Sequence, residues 1–363
     1  MNILDYVENI SDFRMTNKCY HKLSDIIVIG LFTYLSNGED YEDMVIFAKT
    51  HQEFLREFCE LKKGIPSHDT FNRVFSSLDP EILRKCLSDY GTDLLQELKK
   101  KQICFDGKKL KGADPTSKGN KGIYIVNAWV SENQICVGQK KVENKSNEIT
   151  AIPALIDEID IEGAVISIDA IGCQQNIVNK IIEKKGDYFL ALKKNQLEIY
   201  TDVEGSFKAN TPKEFNETWE YDHGRFETRK CTILLANEVL LEENLESWRE
   251  LKTIVKIESS RRVNDQTSYE TRYYISNEDN QSASYYNALA RGHWGIENQL
   301  HWHLDVTFKE DACRARKGHA AENLSTLRKV ALQIIKNHDD KLSLKKRRVM
   351  ASYSVEYLGN LLR

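Results

Sequence analysis

From about residue 101 the chain changes its hydrophobic period in a way that leaves few folds open. Three short runs rich in β-branched and apolar residues, KQICFD, GIYIVNAWVS and QICVGQKKV, follow one another across the turn-compatible links GNKG and ENQ. Next, EITAIPALIDEI reads as a helix, with Ser146 or Asn147 placed to cap it, AVISID as a strand, CQQNIVNKIIEKKG as a helix and DYFLALKK as a strand. Three closely linked strands predict an antiparallel meander, and the strand-helix alternation after them predicts parallel additions. The class expected is therefore α/β, a mixed sheet with helices on both faces.

That order is the ribonuclease-H-like one. In it the first and fourth strands lie side by side, which would bring Asp106, in ICFDGKKLKG, opposite Asp169, in AVISIDAIG, at one sheet edge. The next segments, FNETWEYDHGRFETRKCTILLAN, LKTIVKIESSRR and YETRYYISN, alternate polar and apolar residues, so a β-rich insertion is expected at about 205 to 278. Helical spacing then returns in SYYNALARGHWGIENQLHWHLDV, and AENLSTLRKVALQIIKNH closes the series as an amphipathic helix. Glu297 sits in the first of these, among tryptophans and histidines. Three carboxylates from separate elements, Asp106, Asp169 and Glu297, suit a pair of Mg²⁺ ions, with Mn²⁺ as an alternative, because hard cations take oxygen ligands and leave positions for phosphate and water. The pattern points to a metal-dependent nuclease core.

Each of these residues also has a plain structural reading. Asp106 could end a strand in a DGK turn, and Asp169 could cap a helix. Glu297 could be an ordinary surface carboxylate, although its apolar neighbours suggest partial burial against a partner. His293, Glu297 and His301 fall at four-residue steps, which suggests a zinc site more weakly, since the HExxH arrangement is absent. Trp294 and Trp302 read as core rather than base-stacking residues, Glu148 as a helix-start acid or an accessory carboxylate, and Cys173 as a small packing residue.

Before residue 99, LSDIIVIGLFTYLSNG, DYEDMVIFAKTHQEFLREF and PEILRKCLSDYGTDLLQELKKK carry apolar residues at helical spacing. The division expected is a helical N-terminal, DNA-binding unit at 1 to 98, a catalytic domain at 99 to 338 and a basic tail at 339 to 363. In GIPSHDTFNRVFSSLDP, Ser67 or Asp69 can cap a helix presenting Thr70, Asn72 and Arg73. Without a basic face, this is read as a helical hairpin before a DNA-reading helix-turn-helix.

The net charge of −4 argues against a protein that coats nucleic acid indiscriminately, yet the basic residues are clumped. Lys99, Lys100, Lys101, Lys108, Lys109, Lys111, Lys118 and Lys121 surround Asp106, which suits an anionic substrate. Lys345, Lys346, Arg347 and Arg348 form a second run, read as a solvated face. HGRFETR offers His223, Arg225 and Arg229 either to DNA or to a cross-strand ladder with Glu227. Eight cysteines without a CxxC pair fit free thiols in a reducing compartment. The absence of an export signal or a long apolar run makes the cytoplasm, in association with the nucleoid, the expected location.

Taken in order, GIPSHDTFNRVFSSLDP, FDGKKLKG, KSNEITAIPALID, SIDAIGCQ, YFLALKKNQ, HGRFETR and RGHWGIENQLHWHLDVTFKEDACRARKGHAAENL resemble the DDE transposases of the ISAs1 group within the IS4-like class, and the H-repeat-associated proteins. The resemblance covers nearly the whole chain. It implies DNA cleavage at insertion-sequence ends and strand transfer, a metal triad on Asp106, Asp169 and Glu297, and transposon-end DNA, target DNA and a second copy as partners. The wider class carries a tyrosine, an arginine and a lysine around the glutamate, where this chain has Ala290, His293 and Leu304. Phosphate contacts are then expected from Arg291, His293 and Lys309, with Lys108, Lys109 and Lys111 beside Asp106. Two other readings stay open: a nuclease that cuts without joining, and a domesticated or decayed element that only binds DNA.

Overall fold

The structure, a computed structural model, describes residues 2–95, 97–113, 123–142, 148–212, 214–222, 224–264 and 266–362. Among them, β1 (Gln102–Leu110), β2 (Ile123–Val130), β3 (Ile135–Lys141), β4 (Val165–Ile168), β5 (Asp187–Leu192), β6 (Glu214–Asp222), β7 (Arg225–Leu235), β8 (Thr253–Val263) and β9 (Gln266–Ser276) form one sheet. Its order is β3-β2-β1-β4-β5-β9-β8-β7-β6. The first three strands pair antiparallel, β4 and β5 add in parallel through the helices Glu148–Glu158 and Gln175–Glu183, and β9 returns antiparallel onto β5. The β-rich insertion is therefore not a separate layer. It continues the same sheet, because β9 offers Tyr273, Tyr274, Ile275 and Ser276 to the open edge of β5.

Alternation along the strands divides the core in two. Ile103, Phe105, Val126, Ala128, Ile166 and Ile168 face the helices Glu148–Glu158, Gln175–Glu183 and Leu197–Ala209. Cys104 and Trp129 face the other way, into a cluster shared by the N-terminal helices, the segment after residue 295 and the long helix Ala320–Asn337. The helix Ala283–His293 covers the same face further along, through Tyr286, Leu289 and Ala290 on Val165, Phe189 and Tyr274. Asp106 shares its parity with Cys104, so its side chain belongs to the face carrying the Glu297 segment.

Two expectations are corrected. Asp106, in the middle of β1, and Asp169, just past β4, lie on adjacent strands, but these are the third and fourth of nine and lie inside the sheet rather than at its lateral edge. The basic run near the C-terminus is only half solvated, and the tail is folded into the helices Leu344–Tyr353 and Val355–Asn360. Lys345 and Lys346 are exposed, whereas Arg347 and Arg348 are buried. Arg348 stacks on Phe308 at 4.3 Å and donates to the carbonyls of Tyr34, Gly38 and Thr307, which replaces the water that the guanidinium gives up.

Candidate metal centre

Parallel pairing of β1 with β4 sets Phe105 against Ile168, so Asp106 and Asp169 follow where that pairing ends, while β1 itself runs on to Leu110 against β2. Asp169 also accepts hydrogen bonds from the backbone N–H groups of Ile171, at 3.0 Å, and Gly172, at 3.4 Å. Its capping role and its place beside Asp106 thus coexist. Burial pushes the Asp106 carboxyl up to about 6, opposed by His301 and reinforced by the charges of Asp169 and Glu297.

Glu297 arrives on an unusual element. After the α-helix Ala283–His293 the chain widens into π-helical segments, Ile296–His301 and His303–Thr307, in which Trp302 N–H donates to Glu297 C=O and Phe308 N–H to His303 C=O. Glu297 and His301, four residues apart, meet on one side of this segment. Gly295 lets the segment settle on the sheet, because a Cβ there would stand 2.6 Å from the ring of buried Trp129. The preceding helix is tied down by Gln102, whose Nε2 donates to Leu289 C=O and to Ser167 Oγ, both at 2.8 Å.

Glu297 is more open to solvent than the sequence suggests, with 58% of its side chain exposed, and its partner is His301. The imidazole Nδ1 lies 3.1 Å from Glu297 Oε2 and 3.4 Å from Asp106 Oδ2. That hydrogen bond holds Glu297 below the ordinary carboxylate range. On its far side His301 faces Asn127 of β2, with Nε2 and Nδ2 3.2 Å apart. Asp106, Glu297 and His301 each place one ligand atom within 4.8 Å of the others, a cluster able to hold a cation.

Asn127 is the residue that sequence reasoning misses for this site, and His301 enters it only through the weaker zinc reading. The only signal is the four-residue step from Glu297 to His301; His293, the third member of that series, points elsewhere. Its Nδ1 meets Ser167 Oγ at 3.1 Å, and burial beside Arg272 lowers its pKa to about 4. An uncharged imidazole brings no positive charge to a phosphate. Glu148 does reach this end of the sheet, its carboxylate filling the place a Gly107 side chain would take, and burial followed by repulsion from Asp169 and Asp106 raises its pKa.

The basic residues are distributed differently. Lys108 turns inward to Asp305, Glu310 and Asp311, at 2.5, 3.6 and 3.5 Å, and Lys111 pairs with Asp311 at 2.7 Å. Lys109 lies over the Tyr124 ring. Arg229 and Arg291 share Glu220, at 2.6 and 2.9 Å, while Arg225 and Arg261 share Glu227 at 3.4 Å each, so the cross-strand ladder is present. These arginines still line a cleft of about 370 Å³ that ends on Trp294 and Asn298, next to Glu297. Trp294 and Trp302 are about half exposed and not core, and Arg272 stacks on Trp294 at 4.6 Å. Lys309 borders a second cleft with His68, Asn72, Arg314, Arg316 and Lys317. His223, Lys118, Lys121, Ser146 and Asn147 lie outside the described residues.

Comparison with known proteins bears on this arrangement. Residues 97–334 match the family model described as "Transposase DDE domain", and residues 4–91 match the one described as "DDE_Tnp_1-associated". The chain is 34% identical to "H repeat-associated putative transposase YhhI" of Escherichia coli (strain K12), over 99% of this chain and 97% of that protein. It is 40% identical to "Uncharacterized protein in dhlA 3'region" of Xanthobacter autotrophicus, over 72% of this chain and 90% of that protein. It is also 36% identical, over 20% of its length, to "Inactive transposase YbfQ" of Escherichia coli (strain K12).

Proposed function

Since the chain belongs to the DDE transposase family, we propose that it cleaves DNA at the ends of an insertion sequence and joins the freed ends to target DNA, as a member of the ISAs1 group with a ribonuclease-H-like catalytic domain. The observation that supports this reading is that Asp106, beside which Asp169 lies where the β1–β4 pairing ends, also clusters with Glu297 and His301. Asp106, Asp169 and Glu297 are the residues that would hold two divalent cations, Mg²⁺ or Mn²⁺. The donor set fits: carboxylate oxygens where the β1–β4 pairing ends, one of them raised to about 6 by burial and by its acidic neighbours, lack the positive charge that a cation supplies. Bound there, such ions activate water and stabilise the leaving oxygen of a phosphodiester.

The protein's own residues set up the rest. His301 holds the Glu297 and Asp106 carboxylates together, and the Gln102 and Ser167 contacts fix the helix that delivers Glu297. Arg225, Arg229, Arg261 and Arg291 line a cleft reaching Trp294 and Asn298, and Lys309, Arg314, Arg316 and Lys317 line another, and we assign both to the phosphate backbone of DNA. In the joining step the liberated 3′-hydroxyl attacks a target phosphodiester, forming a new P–O bond as the target's own P–O3′ bond breaks. The N-terminal helical unit is assigned to the transposon end, and a second copy to the other end.

The test is Mg²⁺-dependent cleavage of DNA carrying the element's terminal sequences, comparing the parent with Asp106→Asn, Asp169→Asn and Glu297→Gln. Cleavage by the parent and failure of all three folded variants is the expected result. A cleaving parent that yields no joined product would identify a nuclease. A parent that binds the ends yet never cuts would leave a DNA-binding role alone.

A further inference from the structure

His301 does more than steady two carboxylates. The geometry points to His301 Nδ1 as a direct nitrogen ligand of the cation held between Asp106 and Glu297, with Asn127 as the residue that selects the ligating tautomer; this inference rests on the metal reading proposed above. Nδ1 stands 3.1 and 3.4 Å from the nearest oxygens of the two carboxylates. Those separations are what neighbouring ligands show when each sits about 2.0 to 2.2 Å from one ion. The ring is 3% exposed and cannot swing away, so its nitrogen stays aimed at that point.

The second observation is on the far side of the ring. Asn127 is fully buried and its Oδ1 has no hydrogen-bond partner, while its Nδ2 lies against His301 Nε2. In that orientation Nδ2 donates to Nε2 and the ring proton sits on Nδ1, directed at the carboxylates. Turning the amide over places Oδ1 against Nε2, which then carries the proton and donates it. The Nδ1 lone pair is thereby freed. The exchange moves one ring proton between the two nitrogens and changes no net charge. A ligating histidine commonly has its other N–H fixed by such a partner.

An imidazole in the ligand set favours Mn²⁺ and its neighbours over Mg²⁺, relative to a site built from oxygens alone. The test uses the full-length chain without DNA and Mn²⁺ as the probe, with free Mn²⁺ read by continuous-wave EPR and ¹⁴N coupling to bound Mn²⁺ by pulsed EPR. The parent should bind Mn²⁺, lose it in Asp106→Asn and Glu297→Gln, and show a nitrogen coupling. That coupling should vanish in His301→Asn and persist in His293→Gln, and Asn127→Leu should weaken Mn²⁺ binding on the order of tenfold. Mn²⁺ bound through Asp106 and Glu297 with no nitrogen coupling in the parent, or a coupling that disappears with His293, overturns the ligand assignment and leaves the carboxylate centre standing. No Mn²⁺ binding at millimolar concentrations overturns both. If His301→Asn fails to fold, the parent and His293→Gln spectra read together still decide the matter.

Discussion

Asp106 carries a cost that the proposed metal site would explain. Its carboxyl is raised from 3.8 to about 6 in the folded chain, by burial first and then by Asp169 and Glu297 against the opposing His301. The folded state therefore holds a proton more tightly than the unfolded state, so Asp106's contribution is fully present below about pH 4 and is lost as pH rises through about 6. At pH 7 without metal, the ionised group costs on the order of 2 to 3 kcal/mol. Asp106→Asn removes that charge and should raise the melting temperature of the metal-free protein at pH 7 by a few degrees, with no gain at pH 4. Mn²⁺ should stabilise the parent and not the variant. Equal melting temperatures across that pH range would show that the carboxyl is not strained. Asp106 and Asp169 are legible because each closes an apolar run. The exposure of Trp294 is not legible, since Arg272, its stacking partner, comes from a strand more than twenty positions away in sequence.

At the level of elements, the β-strand and α-helix periods of the central sheet are written in the residues, and so are the three strand-like segments that become the four strands extending it. Their attachment to β5 is not, because pairing between β5 and β9 depends on register between strands separated by β6, β7, β8 and the helices among them, and leaves no local period. The π-helical delivery of Glu297 is equally hidden: a stretch of five or six residues shows no difference between i→i+4 and i→i+5 spacing. Its dependence on Gly295 gives a direct check. Gly295 has ordinary helical angles, φ −59 and ψ −35, so what the position demands is space and not a special backbone conformation. In Gly295→Val the added atoms would meet the Trp129 ring, itself 1% exposed and unable to yield. The variant should lose about 1 to 3 kcal/mol of stability and most of its Mn²⁺ affinity, as Glu297 is lifted two residues downstream. Gly205→Ala, with nothing within 4 Å of the new Cβ, is the matched control and should gain a few tenths of a kcal/mol or more. Unchanged Mn²⁺ affinity in Gly295→Val would mean that Glu297 does not depend on this seat.

Across the whole molecule, the helical N-terminal unit and the catalytic sheet share one interior. Leu324, Leu327, Val330, Ala331, Ile334 and Ile335 of the Ala320–Asn337 helix pack in the same cluster as Ile26, Ile29, Phe32, Phe71 and Phe75, and Cys104 and Trp129 of the sheet close it from below. Polar contacts run across the same seam. Arg84 pairs with buried Glu322 at 3.3 Å, Asn323 donates to the carbonyls of Phe75 and Leu78 at 2.9 and 2.8 Å, and Arg328 stacks on Tyr34 at 4.6 Å. The boundary near residue 98 is visible in the sequence as a change of period, but period describes a segment's own face and not what that face covers. Leu23–Leu35 is buried nearly all round in this shared core, and among the described residues no helix is long and apolar enough to cross a membrane. Removing residues 1–95 would therefore strip the long helix of its cover and open the floor beneath Trp129, on which the Glu297 segment rests. The shortened chain should be poorly soluble, or should melt well below the parent and bind Mn²⁺ weakly, rather than merely lose recognition of transposon ends. Thermal unfolding and Mn²⁺ titration of the two chains side by side give the answer. A soluble fragment with the parent's melting temperature and Mn²⁺ affinity would make the N-terminal helices an independent domain, and its DNA affinity would then measure what they contribute to end recognition alone.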